Sequence, residues 1–378
     1  MEYKNNWKEV IERQNLFWKR KLKNRILARI CLRNAPFEEW LAVLKNKIPL
    51  ASSTFPEKET VLKTWELRLS ILKELQDDSL PVMKPTEFDE GLFGGIFGAA
   101  THFNYDPESG WMGSMAEHFL VDSLDSKRLD IKKHGIWMKE LKERFSWYSE
   151  RAEGRFGLSP IVSIDALNFA VLARGATQAM LDTCDNPDKL KELHKFALQL
   201  NIEINRLQKE FIRPFNGGTF DGHPASGAWF PGDEVNLSVD AFGQCSRDVY
   251  LELGFKYNQE LINAFGSAAL HIHINAEHLL PEVIKLKGLK CISLFDETPR
   301  YFPRLKEIKK VTGDMPLITD CMLDEFLDGM KNGRLEGGVF YVVKGHSGGR
   351  CNLMSPAVET VKEANELMKK VHAYRTVN

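Results

Sequence analysis

The chain has 378 residues, 43% of them hydrophobic, so it is long enough to bury a large core. Its 51 Lys and Arg residues balance 52 Asp and Glu residues, and the net charge of −1 excludes a global attraction to nucleic acid or to an anionic membrane. The six cysteines are dispersed without a CxxC pair, the amino terminus is polar, and no apolar stretch approaches the ~20 residues of a membrane span. These features predict a soluble cytoplasmic protein.

The first 78 residues are predicted to be mainly helical and to cover the rest of the fold. Tryptophans recur there among charged residues at helical spacing, at Trp7, Trp18, Trp40 and Trp65. Three arginines, Arg25, Arg29 and Arg33, recur every fourth residue and would form a basic stripe on a helix.

Eight short apolar runs alternate with helical patterns along the chain. The predicted strands lie at 29–32, 81–85, 157–165, 236–240, 268–273, 289–294, 316–320 and 338–343. Helices are predicted after several of them, among others at 166–184, 277–285, 323–330 and 356–373. This alternation predicts an α/β protein, a (β/α)₈ TIM barrel with an N-terminal helical extension, formed as one domain over residues 1–378.

The segment 215–234 is rich in Gly, Pro, Asp and Asn and interrupts the series of strands and helices. We expect it to form a lid or mouth loop of the same domain. His223 and Trp229 in this segment are therefore candidate substrate-binding residues.

His271 and His273 form the pattern on which the functional prediction depends. Residues two apart in an extended segment point to the same face, so both imidazoles can reach one ion or one substrate. Neutral imidazole suits zinc, and a third protein ligand with one open position makes a catalytic zinc site. Cys351 is the predicted third ligand, with His346 and Cys321 as alternatives. In the competing interpretation no metal binds, and one histidine bonds to backbone or an acid while the other holds substrate.

Two aspartates also end predicted strands, where the chemistry of a barrel takes place. Asp240 is a candidate acid or base, and Asp165 is a candidate substrate-binding residue. A strand-end aspartate is also a good N-cap for the next helix, and capping is the competing interpretation for both.

The glycine-rich turn after the last predicted strand brings an imidazole, a guanidinium and a thiol together. His346 is a candidate catalytic residue, and Arg350 a candidate ligand of an anionic substrate group. Cys351 closes the turn.

Several segments together resemble the uroporphyrinogen decarboxylase superfamily of barrel enzymes. They are 172–175 with 185–187, 238–243 with the helix that follows, the strand at 271–275, and Gly345-His346, so that the resemblance extends from about residue 81 onward. The superfamily includes the heme-pathway decarboxylase and the zinc- and corrinoid-linked methyltransferases.

The methyltransferase branch is characterised by His-x-Cys at this strand and Gly-Cys in the last loop, which bind a zinc that activates a thiol. The resemblance implies that His271 is the first ligand and that His273 stands in place of the cysteine, while the last loop has Gly345-His346 with Cys351 downstream. Zinc accepts this exchange of sulfur for nitrogen.

The decarboxylase branch needs no metal and grips substrate carboxylates with an N-terminal arginine pair. Gly345-His346 fits that branch, but the sequence around Arg29 and Arg33 does not reproduce its arginine motif. We therefore expect metal-dependent methyl transfer between a small methylated substrate or thiol and a corrinoid, with zinc as the metal. A corrinoid protein is an expected partner, and a homodimer is a possible assembly. The alternatives are a metal-free decarboxylase of a uroporphyrinogen-like polycarboxylate and a non-catalytic barrel that binds a corrinoid or a partner.

Overall fold

A computed structural model describes residues 1–131, 135–222, 226–295, 301–345 and 355–376 of the chain. The helices in this part are α1 (Trp7–Trp18), α2 (Ala35–Lys45), α3 (Lys58–Ser70), α4 (Glu90–Gly95), α5 (Ile136–Ala152), α6 (Ala166–Arg174), α7 (Ala176–Asp185), α8 (Pro187–Phe211), α9 (Arg247–Leu253), α10 (Phe255–Phe265), α11 (Leu280–Val283), α12 (Leu305–Thr312), α13 (Leu323–Lys331) and α14 (Val361–Ala373). None of these helices combines the length and hydropathy that a membrane span requires.

The strands in the same ranges are β1 (Leu27–Ile30), β2 (Ala51–Ser52), β3 (Val82–Met83), β4 (Thr101–Asp106), β5 (Trp111–Ala116), β6 (Gly157–Leu158), β7 (Thr219–Phe220), β8 (Trp229–Phe230), β9 (Val235–Ser238), β10 (Ala268–Ile272), β11 (Leu289–Leu294), β12 (Leu317–Met322) and β13 (Val339–Lys344). Each of the eight predicted strands overlaps one of them. The helix predicted over 166–184 is divided into α6 and α7 at Gly175, whose φ of +87° no other residue type adopts easily.

Six strands form the central sheet in the order β1-β13-β12-β11-β10-β9, and every neighbouring pair is parallel. Parallel strands are covered on both faces and are therefore continuous apolar runs, as in β13, where all six residues are buried. Helices connect the successive strands β9 to β13, as parallel pairing requires. The α/β prediction is confirmed.

The strands β3 and β6 form a separate two-stranded parallel sheet. The backbone hydrogen bonds between neighbouring strands thus form two separate parallel sheets, one of six strands and one of two, and not one continuous sheet of eight. Two backbone hydrogen bonds connect the segments that flank this small sheet to the central sheet, from Asp78 N–H to Ala28 O and from Ser163 N–H to Asn236 O, each 2.9 Å long.

Two consecutive aspartates bond to the edge of β1 that faces away from β13. Asp78 Oδ2 accepts a hydrogen bond from Ala28 N–H at 3.0 Å, and Asp77 Oδ2 accepts one from Ile30 N–H at 3.1 Å. The carboxylates satisfy backbone donors that would otherwise be buried without an acceptor.

Cations from distant parts of the chain balance these buried carboxylates. Lys4 Nζ lies 2.5 Å from Asp77, Arg13 of α1 lies 2.5 Å from Asp78, and His372 of α14 lies 3.1 Å from Asp78. Burial raises the pKa of Asp78, but the hydrogen bond from His372 and the charge of Arg13 outweigh it and hold the pKa below its usual value. The first and last helices are therefore tied to β1.

The basic stripe that Arg25, Arg29 and Arg33 would form on a helix is absent from the described structure, because the strand predicted at 29–32 is formed instead. Arg29 lies in β1, inside the central sheet, with an exposure of 5%. Arg33 lies at the surface and forms ion pairs with Glu38 and Glu359. The first 78 residues thus hold α1, α2 and α3 together with one strand of the central sheet.

The described residues of the segment 215–234 include the antiparallel strands β7 and β8, which pack on α1, and this corrects the prediction of an open mouth loop for that part. Trp229 is 2% exposed, and its indole N–H donates to Phe215 O at 2.7 Å. Gln14 of α1 accepts the Trp229 backbone N–H at 2.6 Å. This burial assigns Trp229 to packing, and the ring does not face a substrate.

We expect Asp77→Asn to lower the free energy of unfolding by about 3–5 kcal/mol, because it leaves the ammonium of Lys4 buried without a counter-charge. Urea denaturation measures the change. Asp314→Asn removes a pair with Lys23 in which both side chains are more than half exposed, and it should cost less than about 1 kcal/mol. Equal losses in the two variants would contradict the role given to Asp77.

His194 of α8 makes the stability of the fold depend on pH. Its Nδ1 lies 2.9 Å from Leu253 O, and burial lowers its pKa to about 4. The unfolded chain therefore takes up the proton first, and stability present above about pH 6.5 is lost as the pH falls toward 4.

His194→Asn retains a donor for Leu253 O but cannot be protonated. Between pH 7.5 and pH 5 the wild-type chain should lose about 2 kcal/mol more unfolding free energy than this variant does. Urea titrations at the two pH values measure the difference, and parallel losses would show that His194 does not titrate as its burial requires.

Candidate metal centre

The two histidines lie at the carboxyl end of β10, where their rings meet. The helix α10 ends at Gly266, and the short strand that follows carries His271, with His273 just beyond it. Their Nε2 atoms are 3.1 Å apart, and the ring planes stand at 80° to each other. The alternation of an extended segment thus places both imidazoles on one side, as the spacing predicts.

Asp240 completes a set of three donors with these histidines. It follows β9, which pairs with β10 so that Ser238 stands beside His271. Asp240 Oδ1 lies 3.8 Å from His273 Nε2, and one ligand atom from each of the three residues lies within 4.8 Å of the others. We refer to Asp240, His271 and His273 as the histidine–aspartate cluster.

The donor set fits a divalent transition metal. Two ligand atoms at ~2.1 Å from a tetrahedral zinc lie about 3.4 Å apart, close to the 3.1 Å between the histidine nitrogens. Two imidazoles and one carboxylate are a ligand set that catalytic zinc uses, with the fourth position open. The side chains of Asp240 and His273 are about one third exposed, so this position can face solvent or substrate.

Asp165 binds the backbone next to Asp240 of the cluster. Its Oδ1 accepts Asn168 N–H at 2.7 Å and so caps α6, and its Oδ2 accepts Ala241 N–H at 3.3 Å. Burial, followed by the negative charge of Asp240, raises its pKa to about 7. Since Asp165 is 3% exposed and both oxygens bind backbone, the structure gives it a positioning role and not the predicted contact with substrate.

Two more carboxylates extend the acidic surroundings of Asp240. Asp89 and Glu90 lie where α4 begins, after β3. Burial raises the pKa of Asp89, and burial together with the charges of Asp89 and Asp240 raises that of Glu90. The sequence carries a signal for this pair, since Asp89 and Glu90 follow a predicted strand in the way that Asp240 does.

A fully buried ion pair lies beyond the cluster. Lys344 Nζ is 2.5 Å from Asp320 Oδ2, and both side chains are completely buried. Lys344 Nζ also lies 6.0 Å from the centre of the Phe295 ring, which in turn is 6.3 Å from the His271 ring. The sequence analysis missed this pair, although both residues lie at the ends of predicted strands.

Several predicted site residues lie outside the described ranges, namely His223, His346, Arg350 and Cys351. The alternative zinc ligand Cys321 lies in the main hydrophobic core with no exposure. Among the described residues, Asp240 takes the place of a third ligand, whereas the sequence analysis gave it an acid or base role.

The fold is similar to that of a methyltransferase from Methanosarcina mazei, with a TM-score of 0.58 and 11% sequence identity. The similarity covers 95% of this chain and 97% of that chain. No protein-family model matches the sequence, and no curated protein matches it. At this level of identity the likeness establishes a shared fold, while activity depends on the site.

We expect Lys344→Met to cost about 3–5 kcal/mol of unfolding free energy, because it removes the ammonium that pairs with the buried carboxylate of Asp320. The double variant Asp320→Asn/Lys344→Met should recover most of that loss, since it buries no unpaired charge. Lys369→Met breaks an exposed pair with Glu366 and should stay within about 1 kcal/mol of the wild type. Urea denaturation tests all three, and additive losses in the double variant would argue against a coupled pair.

Proposed function

We propose that the chain is a metal-dependent enzyme of the uroporphyrinogen decarboxylase superfamily, folded as a closed barrel. It transfers a methyl group between a small methylated substrate or thiol and a corrinoid. The observation that carries the proposal is the histidine–aspartate cluster at the carboxyl ends of two adjacent parallel strands. The fold similarity to a methyltransferase supports it.

The three residues of the cluster would hold zinc. A bound zinc favours the deprotonated form of a thiol and so supplies a nucleophile near neutral pH. The protein provides the orientation, because Asp165 binds the backbone amide that follows Asp240 and so fixes the turn that carries it. Raised carboxylate pKa values around the cluster also favour a cation, which relieves the repulsion among Asp165, Asp240 and Glu90.

The same charges oppose the decarboxylase alternative. A substrate with several carboxylates would bring some of them against Glu90 and Asp240, and like charges at short range repel. Arg33, one of the two arginines that would grip such a substrate, is engaged with Glu38 and Glu359 at the surface. Methyl transfer is therefore the function that the site supports best.

Elemental analysis of protein purified without a histidine tag tests the metal. We expect about one equivalent of a transition metal in the wild type and less than about a tenth in His271→Ala and His273→Ala. His278→Ala is the matched control, since His278 is exposed and its ring bonds only to backbone carbonyls of Asn275 and Cys245 among the described residues. A wild-type content below about a tenth, unchanged by His271→Ala, would remove the mechanism.

Methyl transfer itself is measured by the absorbance change of methylcobalamin in the presence of a thiol. The metal-loaded wild type and His278→Ala should demethylate it at the same rate, and His271→Ala should lose the activity. Retained activity in His271→Ala would place the reaction elsewhere.

A further inference from the structure

Lys84 lies at the same end of the sheets as the histidine–aspartate cluster and is almost completely buried. It follows β3 directly and is 8% exposed. Side chains alternate along a strand, so the side chain of Lys84 lies on the same face as that of Val82. Met83 lies on the opposite face and packs in the main core. Burying a lysine at such a position lowers the stability of the fold unless another group compensates its charge.

Among the described residues, none makes a hydrogen bond or an ion pair with the Lys84 ammonium. Its neighbours are the Trp111 ring, whose centre lies 5.5 Å from Nζ, and the carboxyl group of Asp89, which acts on it through its charge. A ring at this distance attracts a cation but accepts no conventional hydrogen bond. Asp89 therefore offsets part of the charge of Lys84, while no described residue accepts a hydrogen bond from the ammonium.

A glycine packs closely against both neighbours of Lys84. A Cβ atom on Gly113 of β5 would lie 3.1 Å from Trp111 Nε1 and 3.4 Å from Asp89 Oδ2. The Trp111 indole N–H makes no hydrogen bond within the described ranges, and the Lys84 ammonium lies near the same indole ring, so two donors are close together. Asp89 connects these donors to the cluster, since the charges of both Asp89 and Asp240 reach Glu90.

We propose that Lys84 and Trp111 form an anion subsite that binds the carboxylate, sulfonate or phosphate group of the small substrate. The reacting end of that substrate lies at the histidine–aspartate cluster, and this assignment rests on the proposed function. The subsite takes one anionic group, because Lys84 can donate to it, whereas a second anion would face the carboxylate of Asp89. A charge-assisted hydrogen bond from the ammonium fixes the substrate so that its other end reaches the cluster.

Calorimetric titration of the zinc-loaded full-length protein tests the subsite with two probes that differ in one group, 3-mercaptopropionate and 3-mercapto-1-propanol. The wild type should bind the carboxylate at least about tenfold more tightly than the alcohol. Lys84→Met should bind the two alike, and Lys84→Arg should retain part of the preference. Lys63→Met is the matched control, because Lys63 also lies over a tryptophan, with Nζ 3.9 Å from the Trp40 ring centre, but at the exposed surface.

An equal preference for the carboxylate in Lys84→Met and the wild type, or no preference in the wild type, overturns the proposal. If Lys84→Met does not fold, Gly113→Ala replaces it, since the methyl group narrows the subsite while Lys84 remains. That variant should weaken binding of the carboxylate at least about threefold more than binding of the alcohol, and equal weakening overturns the proposal.

His271→Ala and two probes without a thiol group, butyrate and 1-butanol, distinguish a failure of the proposed function from a failure of the subsite. A preference for butyrate that depends on Lys84 and persists in a protein without metal supports the subsite, even when methyl transfer is disproved. Normal metal content without any preference for an anion overturns the subsite and leaves the proposed function standing.

Discussion

Along one edge of strand β1, backbone N–H groups donate hydrogen bonds to the carboxylates of Asp77 and Asp78. A carboxylate can accept such bonds but brings a charge into the interior, and that charge must be balanced locally. The chain balances it with cations from α1, from α14 and from the segment before α1. On its other edge β1 pairs with β13, which ends at Lys344. The position of Lys344 therefore depends, through β1, on the buried ion pairs of Asp77 and Asp78 at the opposite edge of that strand.

Charge also organises the carboxyl ends of the strands. Carboxylates gather on the side of β3, β6 and β9, histidines lie on β10, and a buried ion pair joins β12 and β13. Isolated carboxylates at this density would favour their neutral forms, as the raised pKa of Asp165 shows. A divalent cation between Asp240 and the histidines would stabilise the charged forms. The acidic residues would then act together with the histidine–aspartate cluster in holding the cation.

The sequence predicts the strands well because a buried parallel strand is a short run of apolar and β-branched residues. It also predicts that His271 and His273 share a face, since a strand repeats every two residues. It does not predict Asp240 as a third donor, because that depends on the pairing of β9 with β10. The segment around Trp229 is misread because its Gly and Pro content is typical of an open loop, whereas its aromatic rings are buried. The burial of Lys344 is missed since lysine usually lies at the surface.

The hairpin of β7 and β8 has a kinetic consequence. Phe230 packs in one apolar cluster with Ala269, Ile318 and Phe340, which belong to β10, β12 and β13 near their amino ends. Ala269 precedes His271 by two residues and so lies on the same face, beneath the histidines. The described hairpin closes that end with aromatic side chains, and reactants must approach from the carboxyl ends. In the proposed reaction, donor and acceptor would then share one entrance, which favours a mechanism in which the first product leaves before the next reactant enters.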